Sequence, residues 1–148
     1  MIRRYASADT SHIMRIWLET NIETHDFIPE EYWTDNYEPV KDMLPQAEIY
    51  VYEADGSGQA EGFIGLTGSY IAGLFVSAGA QSKGIGTKLL EHAMQRRESL
   101  TLSVYRKNTR AIDFYRRHGF VIRSESIDSD TGEDEYTMVW NRQKELED

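Results

Sequence analysis

The segment Leu74-Phe75-Val76-Ser77-Ala78-Gly79-Ala80-Gln81-Ser82-Lys83-Gly84-Ile85-Gly86-Thr87-Lys88-Leu89-Leu90 constrains this chain more than any other. An apolar strand runs into a Gln-x-x-Gly-x-Gly turn. The turn runs into a helix with apolar residues at Ile85, Leu89, Leu90, Ala93 and Met94. That order leaves the unpaired N–H groups and the positive dipole end of the helix facing outward. Such an end suits a phosphate or pyrophosphate, and Gly84 and Gly86 place no Cβ in the way of an anion. A plain strand-to-helix connection with two glycines is equally consistent with this segment alone.

What the segment lacks narrows the ligand. A dinucleotide fingerprint needs a third glycine where Leu89 stands, and a Walker A loop needs its Lys after the last Gly, whereas Lys83 precedes Gly84. Dinucleotides and nucleoside triphosphates are therefore disfavoured, and a pyrophosphate on so short a turn points to coenzyme A.

A second pattern follows about twenty residues on. Thr101-Leu102-Ser103-Val104-Tyr105 alternates as a strand. Asn108 then caps a helix carrying Ala111, Ile112, Phe114 and Tyr115, which ends at Gly119. The string Asn108-x-x-Ala111-x-x-Phe114-Tyr115-x-x-x-Gly119-Phe120, together with the turn over residues 81–86, resembles the GNAT superfamily of acyl-CoA-dependent N-acyltransferases. Trp17-Leu18-Glu19, His25-Asp26-Phe27-Ile28 and Tyr32-Trp33 extend the likeness to small bacterial acetyltransferases of the YiaC and YjaB type.

Composition sets the remaining bounds. The chain has 148 residues, 40% of them hydrophobic, enough for one domain with a proper core. The longest apolar stretch, near Tyr70–Val76, is too short to span a bilayer. Met1-Ile2-Arg3-Arg4 is followed by polar and acidic residues, not by the apolar core of a signal peptide. There is no cysteine, which excludes disulfides, thiolate metal sites and an acyl-cysteine intermediate. A cytoplasmic enzyme with no membrane partner is the economical expectation. A net charge of −9 argues against nucleic acid as a partner. The same charge favours cationic amines and also simply maintains solubility.

Along the chain, Ile2–Arg4 and Tyr5 read as a short strand, and Asp9, Thr10 or Ser11 can cap a helix through Ile13, Ile16, Trp17 and Thr20. Pro29 fits the first turn of a second helix over Tyr32, Trp33 and Tyr37, which Pro39 disturbs. Strands follow at Glu48–Glu53, 61–68 and Tyr70–Val76, with Asp55-Gly56-Ser57-Gly58 as a hairpin turn. A final pair covers 120–127 and 135–140. These runs predict an α+β fold. The resemblance refines it to a GNAT-like central sheet, mixed but mostly antiparallel, of about seven strands with four helices, splayed between the fourth and fifth strands. One N-acetyltransferase domain is expected over 1–140, with a charged tail at 141–148.

The resemblance also implies roles. Acetyl-CoA is expected against Leu74, Phe75 and Val76, whose backbone N–H groups support the oxyanion. Gln81, Ser82, Lys83, Gly84, Ile85, Gly86 and Thr87 are expected on the pyrophosphate, and Asn108, Ala111 and Phe114 beside the pantetheine arm. Tyr115 is the expected acid for the leaving thiolate, since a phenol near pH 10 stays protonated at neutral pH; a core aromatic beside Phe114 is the plainer reading. Some family members place a Glu where Ser103 stands, and this chain does not. Glu19, His25 or a tyrosine, reached through waters, are then the candidate bases, His25 because its ordinary pKa suits the task. Phe27, Tyr32, Trp33 and Tyr70 are expected as acceptor-pocket walls. Ser82 and Ala78 replace a Gly and a Pro common in the family, and a positive φ at Ser82 would carry about 1 kcal/mol of strain.

The acidic loop Asp128-Ser129-Asp130-Thr131-Gly132-Glu133-Asp134-Glu135 is not an EF-hand, because its Gly comes one place early and its twelfth position is Val139. No metal is expected; the resemblance implies that this loop lies near the acceptor side, where it would attract a cationic amine, and a solvated hairpin turn is the favoured reading. The function expected is transfer of an acetyl group from acetyl-CoA to a primary amine in a ternary complex. A protein lysine or N-terminus stands ahead of a small-molecule amine, and a non-catalytic acyl-CoA-binding module is the alternative.

Overall fold

The computed structural model describes residues 1–142. Seven strands, β1 (Ile2–Arg4), β2 (Glu48–Glu53), β3 (Ala60–Thr67), β4 (Tyr70–Val76), β5 (Ser99–Tyr105), β6 (Val121–Ile127) and β7 (Asp134–Asn141), form one sheet in the order β1-β2-β3-β4-β5-β7-β6. Every neighbouring pair is antiparallel except β4 and β5, which run parallel. The expected seven-stranded, splayed sheet is thus present. Because β7 continues through Asn141, the expected domain end at 140 falls inside a strand; residues 143–148 of the expected tail lie outside the described residues.

Five α-helices flank the sheet: α1 (Thr10–Thr24), α2 (Glu30–Asp35), α3 (Tyr37–Met43), α4 (Ile85–Met94) and α5 (Thr109–Arg117). The count exceeds the expected four because the single helix read over Tyr32 to Tyr37 breaks at Asn36. The Asn36 side-chain amide donates to the Tyr32 carbonyl at 2.6 Å, competing with the helical ladder. Pro39 does not end a helix but sits in the first turn of α3, where its missing N–H is not needed. Asp9 precedes α1 without capping it. Its carboxylate instead accepts two bonds of 2.9 Å from Arg3 and one of 2.8 Å from the Ala6 amide, tying β1 to the start of α1.

The sheet carries a core on each face. α4 and α5 cover one, built around Ile64, Leu89, Leu90, Leu100, Phe120 and Met138. α1 to α3 cover the other, built around Ile13, Met14, Trp17, Trp33, Val51 and Phe63. β2 serves both: Ile49 and Val51 point into the second core and Tyr50 into the first.

Candidate active site

The site begins with a defect in β4. Gly65 pairs with Gly73 and Leu66 with Ile71, which leaves Ala72 as an unmatched bulge residue. A bulge bends and twists its strand. Pairing between β4 and β5 accordingly stops after Tyr70 with Thr101 and Ile71 with Leu102. Beyond that point the strands diverge and open a cleft of about 800 Å³.

Backbone alternation decides what β4 offers to this gap. The Ser77 amide donates to the Glu61 carbonyl at 2.9 Å, and the register continues through Phe75 with Phe63. Ser77, Phe75 and Gly73 therefore bond to β3, and the peptide groups of Leu74 and Val76 face the gap. The Gln81 side-chain amide donates to the Val76 carbonyl at 3.1 Å, as that orientation requires. Of the three expected strand residues, Leu74 and Val76 present backbone to the cleft, whereas the Phe75 peptide group is used within the sheet.

The turn before α4 is built for an anion. Ser82 has φ 70° and Gly84, the N-cap of α4, has φ 80°. Left-handed residues here turn successive N–H groups to one side, as in an anion-binding nest. Among the described residues, the amides of 82–87 donate to no carbonyl or side chain. Gly84 is needed for its backbone angle, since a Cβ there would meet nothing; at Gly86 a Cβ would touch the Phe114 ring at 3.6 Å and Val76 Cγ2 at 3.8 Å, both ordinary contacts. Ser82 carries the strain expected if this position is left-handed, about 1 kcal/mol. Gln81, Ser82, Gly84, Ile85, Gly86 and Thr87 line the cleft, while Lys83 is exposed and does not. Unpaired donors, positive φ and a helix N-terminus fit a pyrophosphate.

α5 supplies the opposite wall with Asn108, Ala111, Phe114 and Tyr115. The Asn108 Oδ1 accepts from the Ala111 amide at 3.2 Å, capping the helix as expected. At its far end the Gly119 and Phe120 amides donate to the Arg116 and Tyr115 carbonyls, a Schellman turn with Gly119 at φ 93°. Tyr115 is only 8% exposed, held edge-on by Phe114 and Phe120, and burial raises its pKa above the ordinary phenol value. Its hydroxyl is protonated at neutral pH and makes no protein hydrogen bond among the described residues.

Across the splay lies an aromatic and acidic end. Tyr32, Trp33 and Tyr70 line the cleft; so do Asn21 and Tyr105, which were not expected there, and Asp128 and Glu135, the two ends of the acidic loop. Phe27 stands behind this wall, edge-on to His25 and Tyr105 and under the Lys107 ammonium. Glu19 is exposed on α1 and outside the cleft lining. It follows Trp17 by two residues, about 200° round the helix, so it points away when Trp17 and Asn21 point in. The spacing of Trp17, Asn21 and His25, four residues apart, was the available signal for Asn21.

His25 does line the cleft, but both of its ring nitrogens are engaged. Nδ1 lies 3.1 Å from Asn21 Oδ1 and Nε2 3.3 Å from Asn108 Nδ2. The ring stacks on Trp33, and burial pushes its pKa down to about 4. It is neutral at physiological pH.

The fold and this cleft define an acyl-CoA-dependent transferase. The acetyltransferase (GNAT) domain family matches residues 45–122. The chain is 35% identical over 142 residues to the peptidyl-lysine N-acetyltransferase YiaC of Escherichia coli, covering 95% of this chain and 96% of that one. It is 34% identical to the peptidyl-lysine N-acetyltransferase YjaB of Salmonella typhimurium, over 88% and 90% of the two chains. The solution structure of apo YjaB from Escherichia coli superposes with a TM-score of 0.85 at 28% identity, covering 97% of this chain and 98% of that one. The chain belongs to the GNAT acetyltransferase family. It is an N-acetyltransferase whose acetyl donor is acetyl-CoA and whose acceptor is an amine. Among the described residues no helix is long and apolar enough to cross a membrane.

Proposed function

We propose that this chain acetylates lysine side chains of proteins or peptides by direct transfer in a ternary complex. The observation that carries the reading is the continuity of one cleft. It runs from the unpaired amides at the start of α4, through the gap between β4 and β5, to an end lined by Tyr32, Trp33, Tyr70, Tyr105, Asp128 and Glu135. The acidic and aromatic end suits the ammonium and methylene stem of lysine, and the two named relatives are peptidyl-lysine acetyltransferases.

Each residue then has a task. Backbone amides of 82–87 hold the pyrophosphate, and the Leu74 and Val76 peptide groups, with Asn108, Ala111 and Phe114, hold the pantetheine arm. When bound, acetyl-CoA supplies the activated acetyl group. Tyr115 holds a proton beside the leaving sulfur, and burial keeps that proton in place until it is needed. His25, neutral and engaged at both nitrogens, is a poor base, and Glu19 lies off the cleft. Among the described residues that line the cleft, only Asp128 and Glu135 are carboxylates. Asp128 already accepts from the Tyr105 hydroxyl, the Thr131 hydroxyl and the Asp130 amide. We assign the proton of the incoming ammonium to Glu135. A cysteine-free, acetyl-CoA-dependent enzyme fits the cytoplasm, and a net charge of −9 disfavours nucleic acid as a partner.

The test is acetylation of a lysine peptide, read by mass and by thiol release, for the wild-type protein and Tyr115→Phe. The substitution is expected to cut kcat about a hundredfold while CoA affinity stays within about twofold. Unchanged turnover would remove Tyr115 from the reaction. Activity on small amines but not on peptides would overturn the lysine assignment.

A further inference from the structure

We propose that His25 is a positioning residue: it ties the acceptor wall to the cap of α5 and holds the Asn108 amide in the one orientation that serves the acetyl-CoA arm. This rests on the reading of Asn108 as a contact to that arm. The argument starts from hydrogen-bond bookkeeping along a chain of side chains that no single element contains.

Asn21 Nδ2 donates to the Trp17 carbonyl at 2.9 Å, so Asn21 must turn its Oδ1 towards His25. His25 Nδ1 can meet that oxygen only as a donor. At the other end, Asn108 Oδ1 accepts from the Ala111 amide, so Asn108 must turn its Nδ2 towards His25. His25 Nε2 can meet that amide only as an acceptor. Both neighbours demand the same state, the neutral ring protonated at Nδ1. The run from the Trp17 carbonyl to the Ala111 amide is therefore satisfied link by link, with each group in one orientation.

The last link serves the donor side. Asn108 Nδ2 has two hydrogens, and His25 takes one. The other is available to an oxygen in the cleft that Asn108 lines. Without His25, Asn108 still caps α5 through Oδ1, but its amide plane is then held by that one bond instead of two. The His25 ring itself packs among acceptor-side aromatics: stacked on Trp33 at 5.5 Å and edge-on to Tyr105 at 5.1 Å and to Phe27 at 5.7 Å. A residue so placed couples the two halves of the cleft. A base, by contrast, needs a free nitrogen facing the substrate, and the ring offers none. No charged group contributes to its lowered pKa, which burial alone accounts for.

The experiment compares wild type, His25→Phe and His25→Gln. Phe keeps the ring on Trp33 and removes both hydrogen bonds. Gln keeps an acceptor for Asn108 and cannot titrate. CoA affinity is measured by calorimetry, with no turnover involved, and kcat and KM for acetyl-CoA are measured separately. His25→Phe is expected to weaken CoA about five- to tenfold, the size of one lost hydrogen bond, with kcat at saturation within about twofold. His25→Gln is expected to recover affinity to within about threefold of wild type, with an unchanged pH profile. In an Asn108→Ala background His25→Phe should cost no further CoA affinity. Long-range nitrogen NMR should show the ring neutral and protonated at Nδ1 from pH 8 to pH 5.

Loss of kcat in both variants with CoA affinity intact, or a ring that titrates near neutrality, overturns the proposal in favour of a base. Additive losses in the double variant also overturn it. If His25→Phe does not fold, His25→Gln with the Asn108 cycle and the NMR tautomer still decide. A wild-type protein that binds CoA yet acetylates no lysine would defeat the acceptor reading alone, because the affinity and tautomer measurements do not depend on it.

Discussion

Two carboxylates line the cleft, and their surroundings separate them. Asp128 spends its oxygens on Tyr105, Thr131 and the Asp130 amide, whereas Glu135 is paired with no Lys or Arg among the described residues. Burial, and next the charge of Asp128, hold the Glu135 carboxyl above its ordinary value. A raised folded-state pKa means the folded chain binds the proton more tightly than the unfolded one between the two pKa values. Ionised Glu135 therefore costs stability at neutral pH. Glu135→Gln should leave the protein at least as stable at pH 7, by urea unfolding, yet lower kcat/KM for the lysine peptide at least tenfold and abolish the acid limb of its pH profile. A destabilised variant with a normal profile would make Glu135 structural. The acidic loop that carries both carboxylates was legible beforehand, but their separate tasks were not. Glu135 becomes a cleft residue only because β5 and β7 pair Tyr105 with Glu135, a register no local pattern states. The turn over residues 81–87 was legible as a strand-to-helix turn because its glycines and the apolar spacing after it are local features, whereas the role given to Tyr115 came with the family resemblance. Glu19 was misread for a correctable reason: its place on the outer face of α1 follows from helical periodicity alone.

The elements that build the donor half depend on close approaches. At Gly62 of β3 a Cβ would stand 2.8 Å from the Phe75 carbonyl oxygen, 3.2 Å from Ile85 and 3.3 Å from Leu89. The first turns of α4 thus sit directly on bare backbone. Relief would require moving β4 or lifting the start of α4, the two elements that form the gap and the anion turn. Gly62→Ala is expected to cost about 1–3 kcal/mol in urea unfolding and to weaken CoA about tenfold in calorimetry. Lost stability with unchanged CoA affinity would show that the strain relaxes away from the turn. The same scale explains what sequence could and could not reveal of the fold. β2, β4 and the caps of α5 were readable within a residue or two. The splay came with the family resemblance and not from any residue, since its physical origin, the bulge at Ala72, has no composition that marks it. The break at Asn36 was missed because Pro39 looked like the stronger interruption, although a helix's first turn tolerates proline.

At the scale of the molecule the sheet separates the two reactants and then joins them. The anion turn and α5 pack on one core, the Trp17 and Trp33 wall packs on the other, and the cleft joins them where β4 leaves β5. On the proposed reading donor and acceptor enter from different sides of one sheet, and the same strands carry both cores. Asp9 and Arg3 clamp the far edge of the sheet to α1, so the acceptor layer is not free to hinge there. Cooperativity across the sheet has a measurable consequence. CoA at one hundred times its dissociation constant should add about 2.7 kcal/mol to global stability. If the two cores unfold as one unit, hydrogen exchange in the slowest amides of α1 should slow by the same factor, about a hundredfold, as in α4 and β3, although α1 lies across the sheet from the anion turn. Protection confined to β4, α4 and α5 would mean that the acceptor layer opens independently, and coupling between the sites would then be local to the His25 contact with Asn108.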